Sequence, residues 1–269
     1  MAAVIGHPVG HSLSPVLHNA AFRESGLDWV YLAFDVPAGA AGAALEGMRS
    51  LGIAGLSVTT PHKDDVARLV DRRSATAERL GAVNTVVNLG GELVGESTDG
   101  QGFIDALRLD HRFDPAGRRC VVRGSGGAAR AIVLALAGAG AAAVVVVPGR
   151  DSSKAELAAA LAGAAGRVGP ATEAAGADLV VNATTLGMAA GPPDLPLDPS
   201  LLGPGQLVVD IVYPTTPFVR AALAQGANAA SGLGMLLHQA AGAFRLWTGQ
   251  EPPLAAMSAA AIATLSRDS

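Results

Sequence analysis

The amino-acid sequence predicts an α/β protein made of two domains with largely parallel sheets. Short apolar runs alternate with amphipathic helical stretches along almost the whole chain, which is the pattern of that fold class. The chain has 269 residues, and at roughly 100–200 residues per domain this length suits two modest domains or one large one. Its 34 glycines exceed average usage, as expected where many tight strand-to-helix turns are made.

Glycine and proline mark the ends of the elements in the first half of the chain. A helix is predicted to begin with Ser14 as N-cap and Pro15 at its first position, and to end at Gly26. A second helix start is predicted at Thr60-Pro61, and a hairpin turn at Gly90-Gly91. The predicted strands are 2–5, 30–36, 55–59, 85–89 and 93–96; a helix at 100–109 precedes a polar, proline-containing boundary at 111–115.

The second half has a more regular alternation, typical of a dinucleotide-binding domain. Four apolar runs predict strands at 119–123, 143–147, 179–182 and 207–212. Helical stretches separate the first three of these strands. Residues 131–149 carry no charge, but Gly138 and Gly140 interrupt them, so they predict a helix, a turn and a strand rather than a membrane span. A proline-rich loop at 191–205 and two helices at 234–247 and 253–266 complete the chain.

The charge and cysteine content exclude several classes of partner. The 19 Lys and Arg residues against 23 Asp and Glu residues give a net charge of -4, which does not favour nucleic acid. The single Cys120 cannot form an internal disulfide, and residues 1–5 lack the basic segment of a signal peptide. We therefore expect a reduced, cytoplasmic protein that binds small molecules and neither nucleic acid nor a membrane.

A glycine cluster follows the strand predicted at 119–123 and opens the next helix; it consists of Gly124, Ser125, Gly126, Gly127 and Ala128. Small residues there let the backbone approach a pyrophosphate, which the N–H groups of the helix N-terminus then hold. The spacing departs from G-x-G-x-x-G, and the alternative is a tight turn that requires glycine for its own sake.

The turn after the next strand carries basic residues where an NAD-selecting enzyme places an acidic one. Arg150 and, four residues on, Lys154 are suited to the 2′-phosphate of NADP. Asp151 beside them opposes this interpretation, and a solvated helix start is the alternative.

Lys63 and Asp99 are the candidate catalytic residues. Lys63 and Lys154 are the only lysines, so 17 of the 19 Lys and Arg residues are arginine. A lysine in such a chain suggests a need for an ammonium group that can change its protonation state, because a guanidinium group cannot. Lys63 lies where a strand ends and a helix begins, a common place for active-site groups in α/β folds. The alternatives are a surface lysine for Lys63 and a plain N-cap carboxylate for Asp99.

Ser12 and Ser14 present two hydroxyls before a helix N-terminus, which suits a carboxylate, although Ser14 alone serves equally as a cap. No metal site is expected, because the histidines in this region do not have zinc-ligand spacing and no cysteine lies nearby. Cys120 is expected to be a buried apolar residue, and Gln239, in an apolar helical stretch, needs a partner if it is buried.

Taken together, the ordered motifs of this chain resemble the shikimate dehydrogenase family over nearly its whole length. The motifs that carry the resemblance are residues 6–15 with His18-Asn19, 58–63, 81–85, 98–100, 124–128, 182–184, 210–214 and 232–236. The resemblance implies a substrate-binding domain at 1–110 completed by helices at 233–269, a Rossmann-type NADP-binding domain at 111–232, and an active site in the cleft between them.

The implied activity is the reversible NADP-dependent reduction of 3-dehydroshikimate to shikimate in chorismate and aromatic amino-acid biosynthesis, by a monomer or homodimer, with NAD as an alternative cofactor. By matching position, Lys63 and Asp99 form the catalytic pair. The implied substrate ligands are Ser12, Ser14 and Tyr213 for the carboxylate and Thr59, Asn84 and Gln239 for the ring hydroxyls. The implied cofactor ligands are Gly124, Ser125, Gly126, Gly127, Ala128, Arg150, Lys154, Ile211 and Gly232.

Four positions depart from the usual family pattern. Ser97 replaces an Asn, Thr60 an aliphatic residue, Arg123 an apolar strand end, and Gly149 an Asn. Two alternatives remain open. One is a quinate/shikimate or aminoshikimate dehydrogenase of a secondary pathway, and the other is a catalytically silent nucleotide-binding homologue. The presence of Lys63 and Asp99 argues against the silent homologue, because binding alone requires neither.

Overall fold

The computed structural model describes residues 1–149, 151–187 and 195–267. The chain forms two compact units, one of Met1–Gly102 with Leu236–Ser269 and the other of Phe103–Met235. Each unit contains one six-stranded sheet with helices packed on it, so the predicted α/β fold class is confirmed. We refer to these as the first unit and the second unit.

The strands, in chain order, are β1 (Ala2–Gly6), β2 (Tyr31–Asp35), β3 (Gly55–Val58), β4 (Arg72–Arg73), β5 (Thr85–Leu89), β6 (Glu92–Glu96), β7 (Arg119–Arg123), β8 (Ala143–Val147), β9 (Gly166–Val168), β10 (Leu179–Asn182), β11 (Leu207–Asp210) and β12 (Asn228–Ser231). The α-helices are α1 (Ser14–Glu24), α2 (Ala41–Ser50), α3 (Lys63–Leu69), α4 (Ala75–Leu80), α5 (Asp99–Asp105), α6 (Gly127–Gly138), α7 (Ser152–Ala160), α8 (Pro217–Ala224), α9 (Leu233–Thr248) and α10 (Leu254–Leu265).

The sheet of the first unit is mixed, with the order β2-β1-β3-β5-β6-β4. Strand β1 pairs in parallel with β2 and β3, whereas β5 runs antiparallel to both β3 and β6. The β5–β6 hairpin turns at Gly90 and Gly91, whose φ angles of 66° and 104° are the left-handed values that glycine adopts without steric cost. Antiparallel pairing in this sheet is confined to β5, which belongs to the predicted hairpin, and the other pairs are parallel.

The C-terminal helices complete the first unit by packing on it. Helix α10 lies against α1, and Trp247 of α9 lies on β3, where a Cβ added to Gly55 would be 2.4 Å from the indole. The indole Nε1 donates to the carbonyl of Val86 over 3.0 Å. The close approach of Trp247 to the sheet thus requires glycine at position 55.

The second sheet is parallel throughout, with the order β12-β11-β10-β7-β8-β9. Apolar side chains of these strands face helices on both sides, as in a doubly wound fold. Cys120 is fully buried in β7, as predicted for a small apolar residue, and burial raises the pKa of its thiol to about 12. None of the described helices is long and apolar enough to span a membrane, and residues 131–149 divide into α6, a turn and β8.

Two predicted helix starts differ from the structure. Ser14 is the first residue of α1 rather than its cap; the N-cap residue is Leu13, whose side chain makes no capping hydrogen bond. Helix α3 begins at Lys63 instead of Thr60-Pro61, a peptide bond that is cis here. Three short strands, β4, β9 and β12, were not predicted, because none has a long apolar run and each is defined by its pairing partner.

We expect Gly55→Ala to destabilise the first unit by about 1–3 kcal/mol, because the new methyl group displaces the indole of Trp247. Both tryptophans, Trp29 and Trp247, lie in this unit, so the midpoint of urea unfolding followed by tryptophan fluorescence reports on it. Gly47→Ala is the matched control, because Gly47 lies inside α2 with no described atom within 4 Å of an added Cβ, and it should stabilise the unit by about 0.5–1 kcal/mol. Equal midpoints for wild type and Gly55→Ala would contradict the packing.

Candidate active site and cofactor loop

The first unit brings Lys63 and Asp99 into a largely buried ion pair. Each is the first residue of a helix, α3 and α5, and Lys63 Nζ lies 2.5 Å from Asp99 Oδ2. Their side chains are only 17% and 9% exposed. Asp99 is therefore held as the partner of an ammonium group, and Lys63 keeps some access to solvent.

Asn84 fixes the other oxygen of that carboxylate. Its Nδ2 donates to Asp99 Oδ1 over 2.7 Å and to Thr98 Oγ1 over 2.9 Å, and its Oδ1 accepts from the Thr98 amide over 2.8 Å and from the Thr85 hydroxyl over 3.1 Å. Both amide protons are thus used within the protein. The sequence indicated Asn84 only as a ligand of a ring hydroxyl, and its hold on Asp99 was missed because the two residues are 15 positions apart.

Gln239 of α9 approaches the same helix that Asp99 begins. A Cβ added to Gly102 of α5 would lie 2.5 Å from the backbone nitrogen of Gln239, and one added to Gly242 would lie 3.3 Å from the Thr98 methyl group. The side chain of Gln239 is half-buried and donates to the carbonyl of Leu236 over 2.9 Å. This bond is the partner that the sequence required for a polar group in an apolar helix.

Ser12, Ser14 and Thr59 also lie in the first unit. Ser12 Oγ accepts from the backbone amide of Ser14 over 3.2 Å, whereas the side chain of Ser14 is buried. Thr59 directly follows β3, and its methyl group lies so close to Gly6 that a Cβ there would be 2.4 Å away. Ser12 in the loop before α1, Ser14 at the start of α1 and Thr59 after β3 therefore each carry a hydroxyl in this unit.

The second unit places the glycine cluster between β7 and α6. Gly124 has φ +122°, and a Cβ there would be 2.8 Å from the carbonyl of Ala183, so both conformation and space require glycine. Gly126 is the N-cap of α6 and has no side chain to cap it, and among the described residues no atom lies within 4 Å of a Cβ added there. Open space beside unpaired backbone N–H groups fits a pyrophosphate, so these residues suit a dinucleotide cofactor.

Ile211 and Gly232 are adjacent at the ends of β11 and β12. The Gly232 amide donates to the carbonyl of Val212, and a Cβ on Gly232 would lie 2.0 Å from the carbonyl oxygen of Ile211. Tyr213 is half-buried two residues after Ile211. The ends of these strands thus lie close together at the carboxyl edge of the sheet, where ligands bind in doubly wound folds.

The turn that carries Ile211 and Tyr213 is held by the buried carboxylate of Asp210. It accepts from Asn182 Nδ2 over 2.9 Å, from the Val212 amide over 3.1 Å and from the Thr216 hydroxyl over 2.7 Å. Burial raises the pKa of this carboxyl group, which these hydrogen bonds partly offset.

Comparison with known proteins identifies the family. The shikimate dehydrogenase substrate binding domain matches residues 4–86, and the shikimate 5'-dehydrogenase C-terminal domain matches residues 232–262. The shikimate dehydrogenase (NADP(+)) of Moorella thermoacetica is 47% identical, over 96% of this chain and 90% of that protein. This chain belongs to the shikimate dehydrogenase family.

Two further shikimate dehydrogenases extend the match. The shikimate dehydrogenase (NADP(+)) of Methanopyrus kandleri is 45% identical, over 97% of this chain and 94% of that protein. The crystal structure of the Thermus thermophilus shikimate 5-dehydrogenase in complex with NADP(H) and shikimate has a TM-score of 0.90 and 39% identity, covering 97% of this chain and 98% of that one. The likeness therefore spans both units.

The predicted 2′-phosphate site consists of Arg150 and Lys154, with Asp151 between them. Arg150 lies outside the described residues. Asp151 is the N-cap of α7, accepting from the amides of Ser153 and Lys154, and the Ser153 hydroxyl contributes most to lowering the pKa of its carboxyl group. Lys154 is exposed, with its Nζ 3.8 Å from Asp151 Oδ2. The sequence indicated only the charge of Asp151 and missed its capping role.

Arg123, one of the departures from the family pattern, is half-buried at the end of β7. Its Nε donates to the carbonyl of Pro196 over 3.2 Å, and Nη1 lies 3.5 Å from the carbonyl of Val147. Burial lowers the pKa of this guanidinium. Arg123 therefore joins two backbone segments at the carboxyl edge of the sheet.

Among the described residues, no group of three or more His, Cys, Asp or Glu could hold a metal ion.

Alanine substitutions at Gly124 and Gly126 should separate folding from cofactor binding. Gly126→Ala leaves the thermal midpoint by circular dichroism almost unchanged, but raises the KM for NADP about tenfold or more, because the methyl group occupies the space that the phosphates approach. Gly124→Ala lowers the midpoint as well, because its φ and the Ala183 carbonyl exclude a side chain. A normal KM for Gly126→Ala would contradict the assignment of the loop.

Proposed function

We propose that this protein is an oxidoreductase that catalyses the reversible, NADP-linked reduction of 3-dehydroshikimate to shikimate, as part of chorismate and aromatic amino-acid biosynthesis. The observation that carries the proposal is the 2.5 Å Lys63–Asp99 ion pair, in a chain 47% identical to a shikimate dehydrogenase. The open glycine turn at the N-terminus of α6 suits the cofactor, NADP.

The reaction requires a proton as well as a hydride. NADPH supplies the hydride when bound. Lys63 donates a proton to the carbonyl oxygen of 3-dehydroshikimate, and in the reverse direction it accepts the proton of the shikimate hydroxyl. Asp99, held by Asn84, orients the ammonium group and keeps its charge paired.

The remaining residues hold substrate and cofactor. We assign Ser12, Ser14 and Tyr213 to the carboxylate, and Thr59, Asn84 and Gln239 to the ring hydroxyls. Asn84 donates both amide protons and accepts two hydrogen bonds at its carbonyl oxygen within the protein, so a ring hydroxyl that binds it must replace one of these partners. The proposed cofactor ligands are Gly124, Ser125, Gly126, Gly127, Ala128, Arg150, Lys154, Ile211 and Gly232.

The proposal includes a cytoplasmic location and a monomeric or homodimeric state. The single cysteine is buried in β7, which suits a reducing compartment. Sedimentation of the purified protein over a range of concentrations measures the oligomeric state.

The experiment that tests the function is an assay of the purified protein with shikimate and with quinate, each with NADP and with NAD, followed by the absorbance of the reduced nicotinamide. We expect the highest kcat/KM for shikimate with NADP. A preference for quinate would indicate the secondary-pathway alternative. No turnover in any combination would indicate a silent homologue.

Lys63→Ala should lower kcat about 10²-fold or more, the usual scale for the loss of general acid–base catalysis, with a smaller change in KM. Steady-state kinetics with saturating NADP and varied shikimate measure both. Arg68→Ala is the control, because Arg68 lies on the same helix with a side chain 68% exposed, and its kcat should stay at the wild-type value. A near-normal kcat for Lys63→Ala would remove Lys63 from the mechanism.

Arg150→Ala should reduce the preference for NADP over NAD about ten- to a hundredfold, mainly through the KM for NADP, because a charge-assisted hydrogen bond contributes roughly 1.5–3 kcal/mol.

Asp151→Asn should lower the KM for NADP slightly, since asparagine keeps the cap of α7 while the negative charge beside Lys154 is removed. Neither change should affect NAD. If the wild type prefers NAD and Arg150→Ala leaves the ratio unchanged, the assignment is wrong.

A further inference from the structure

Arg123 is a half-buried cation at the carboxyl edge of the second sheet, and the proposed cofactor contacts give it no role. It is the last residue of β7, and its register partner Val147 is the last residue of β8. Its Nε donates to the carbonyl of Pro196 over 3.2 Å, and Nη1 donates to the carbonyl of Val147 over 3.5 Å. The guanidinium group is therefore held over the ends of these two strands.

No carboxylate balances the charge of Arg123. Among the described residues none forms an ion pair with it, and burial lowers the pKa of its guanidinium group. At the other end of β7, by contrast, Arg119 is exposed and its Nη2 lies 3.8 Å from Glu173 Oε2. A half-buried cation without a counter-ion is destabilising, because it loses hydration and gains no opposite charge. An anion that binds at this edge of the sheet would replace the lost hydration.

The guanidinium group keeps hydrogen-bonding capacity for such an anion. An arginine carries five N–H groups in a planar fork, and the contacts with Pro196 and Val147 use two of them. The other N–H groups, on Nη1 and Nη2, have no partner among the described residues. A planar fork of this kind matches the oxygens of a phosphate group.

The glycine cluster begins directly after Arg123. The Gly124 amide donates over 3.3 Å to the carbonyl of Val147, the same oxygen that Arg123 Nη1 contacts. The guanidinium group thus lies beside the start of the cluster. A Cβ added to Gly126, or to Gly149 in the turn after β8, has no described atom within 4 Å. The turns that follow both strands therefore leave room for a ligand.

We propose that Arg123 is a further cofactor ligand, whose guanidinium group forms a charge-assisted hydrogen bond with a phosphate of the dinucleotide. The proposal rests on the assignment of the glycine cluster to the cofactor. The pyrophosphate and the 2′-phosphate offer the same chemistry, and the proposed ligands of both lie after β7 and β8. The bound phosphate supplies the counter-ion that the protein lacks, so the charge of Arg123 contributes to affinity for the cofactor.

Arg123→Met tests the proposal, because methionine keeps an unbranched apolar stem and removes both the charge and the fork. Isothermal titration calorimetry without substrate measures the Kd for NADP. We expect this Kd to rise about tenfold or more, the scale of a lost charge-assisted hydrogen bond. Arg123→Lys keeps the charge without the fork, so its Kd should lie between those of wild type and Arg123→Met. An unchanged Kd in Arg123→Met would overturn the proposal.

Arg119→Met is the matched control. It makes the same substitution on the same strand, about 13 Å from Arg123 at roughly 3.3 Å per residue. Glu173 keeps Arg167 as its partner in this variant. The Kd for NADP should stay within about twofold of wild type. Thermal midpoints by circular dichroism show that each variant is folded.

Ionic strength separates a phosphate contact from a merely structural role. In wild type and Arg123→Lys, the Kd for NADP should rise more steeply with sodium chloride than in Arg123→Met, because salt screens the contact between cation and phosphate. If methionine and lysine weaken binding equally and the salt dependence stays that of wild type, Arg123 only ties Pro196 to β8. That result would overturn the proposal.

Parallel titrations with NAD identify the phosphate. If Arg123→Met weakens NADP and NAD binding by the same factor, the partner is the pyrophosphate, and if it weakens only NADP binding, the partner is the 2′-phosphate; both results support the proposal. Gly126→Ala distinguishes failure of this inference from failure of the cofactor assignment. If Gly126→Ala weakens NADP binding and Arg123→Met does not, the inference is wrong and the assignment of the loop survives. If Gly126→Ala has no effect, that assignment fails and the inference falls with it.

Discussion

The site of the first unit depends on one constraint, that the charge on Asp99 is almost out of water and must be paired. An unpaired buried carboxylate is costly, and Lys63 together with the Asn84 amide satisfies both of its oxygens. The two partners come from the start of α3 and the segment before β5, and Asp99 itself begins α5, so three separate elements must keep their relative positions. The same pairing leaves an ammonium group that keeps some access to solvent, which is what the proposed proton transfer requires.

Close backbone approach is the second organising constraint, and glycine permits it where each site is built. Gly102 lets the backbone of Gln239 in α9 approach α5. Gly124 lets the glycine cluster pass the carbonyl of Ala183, and Gly232 lets β12 end beside Ile211. Any side chain at these positions meets backbone rather than a flexible neighbour. The high glycine content noted in the sequence thus reflects packing between elements as well as turns.

Much of the fold could be predicted from local pattern. Strands β7 and β8 coincide with their predicted apolar runs because both are buried on two faces, whereas β12, Asn228–Ser231, has small and polar residues and exists through its pairing with β11. In the site, lysine scarcity and helix-start position pointed to Lys63 and Asp99. The role of Asn84 toward Asp99 was not visible, since it joins residues 15 positions apart through a tertiary contact.

We propose that Lys63 and Asp99 act as a single proton-transferring unit. The most direct test is a double-mutant cycle with Lys63→Ala, Asp99→Asn and the double variant, measuring kcat for shikimate at saturating NADP. We expect strong non-additivity, in which the double variant is about as slow as the slower single variant, because each residue works through the other. Losses that multiply across the cycle would show two independent contributions and exclude a single unit.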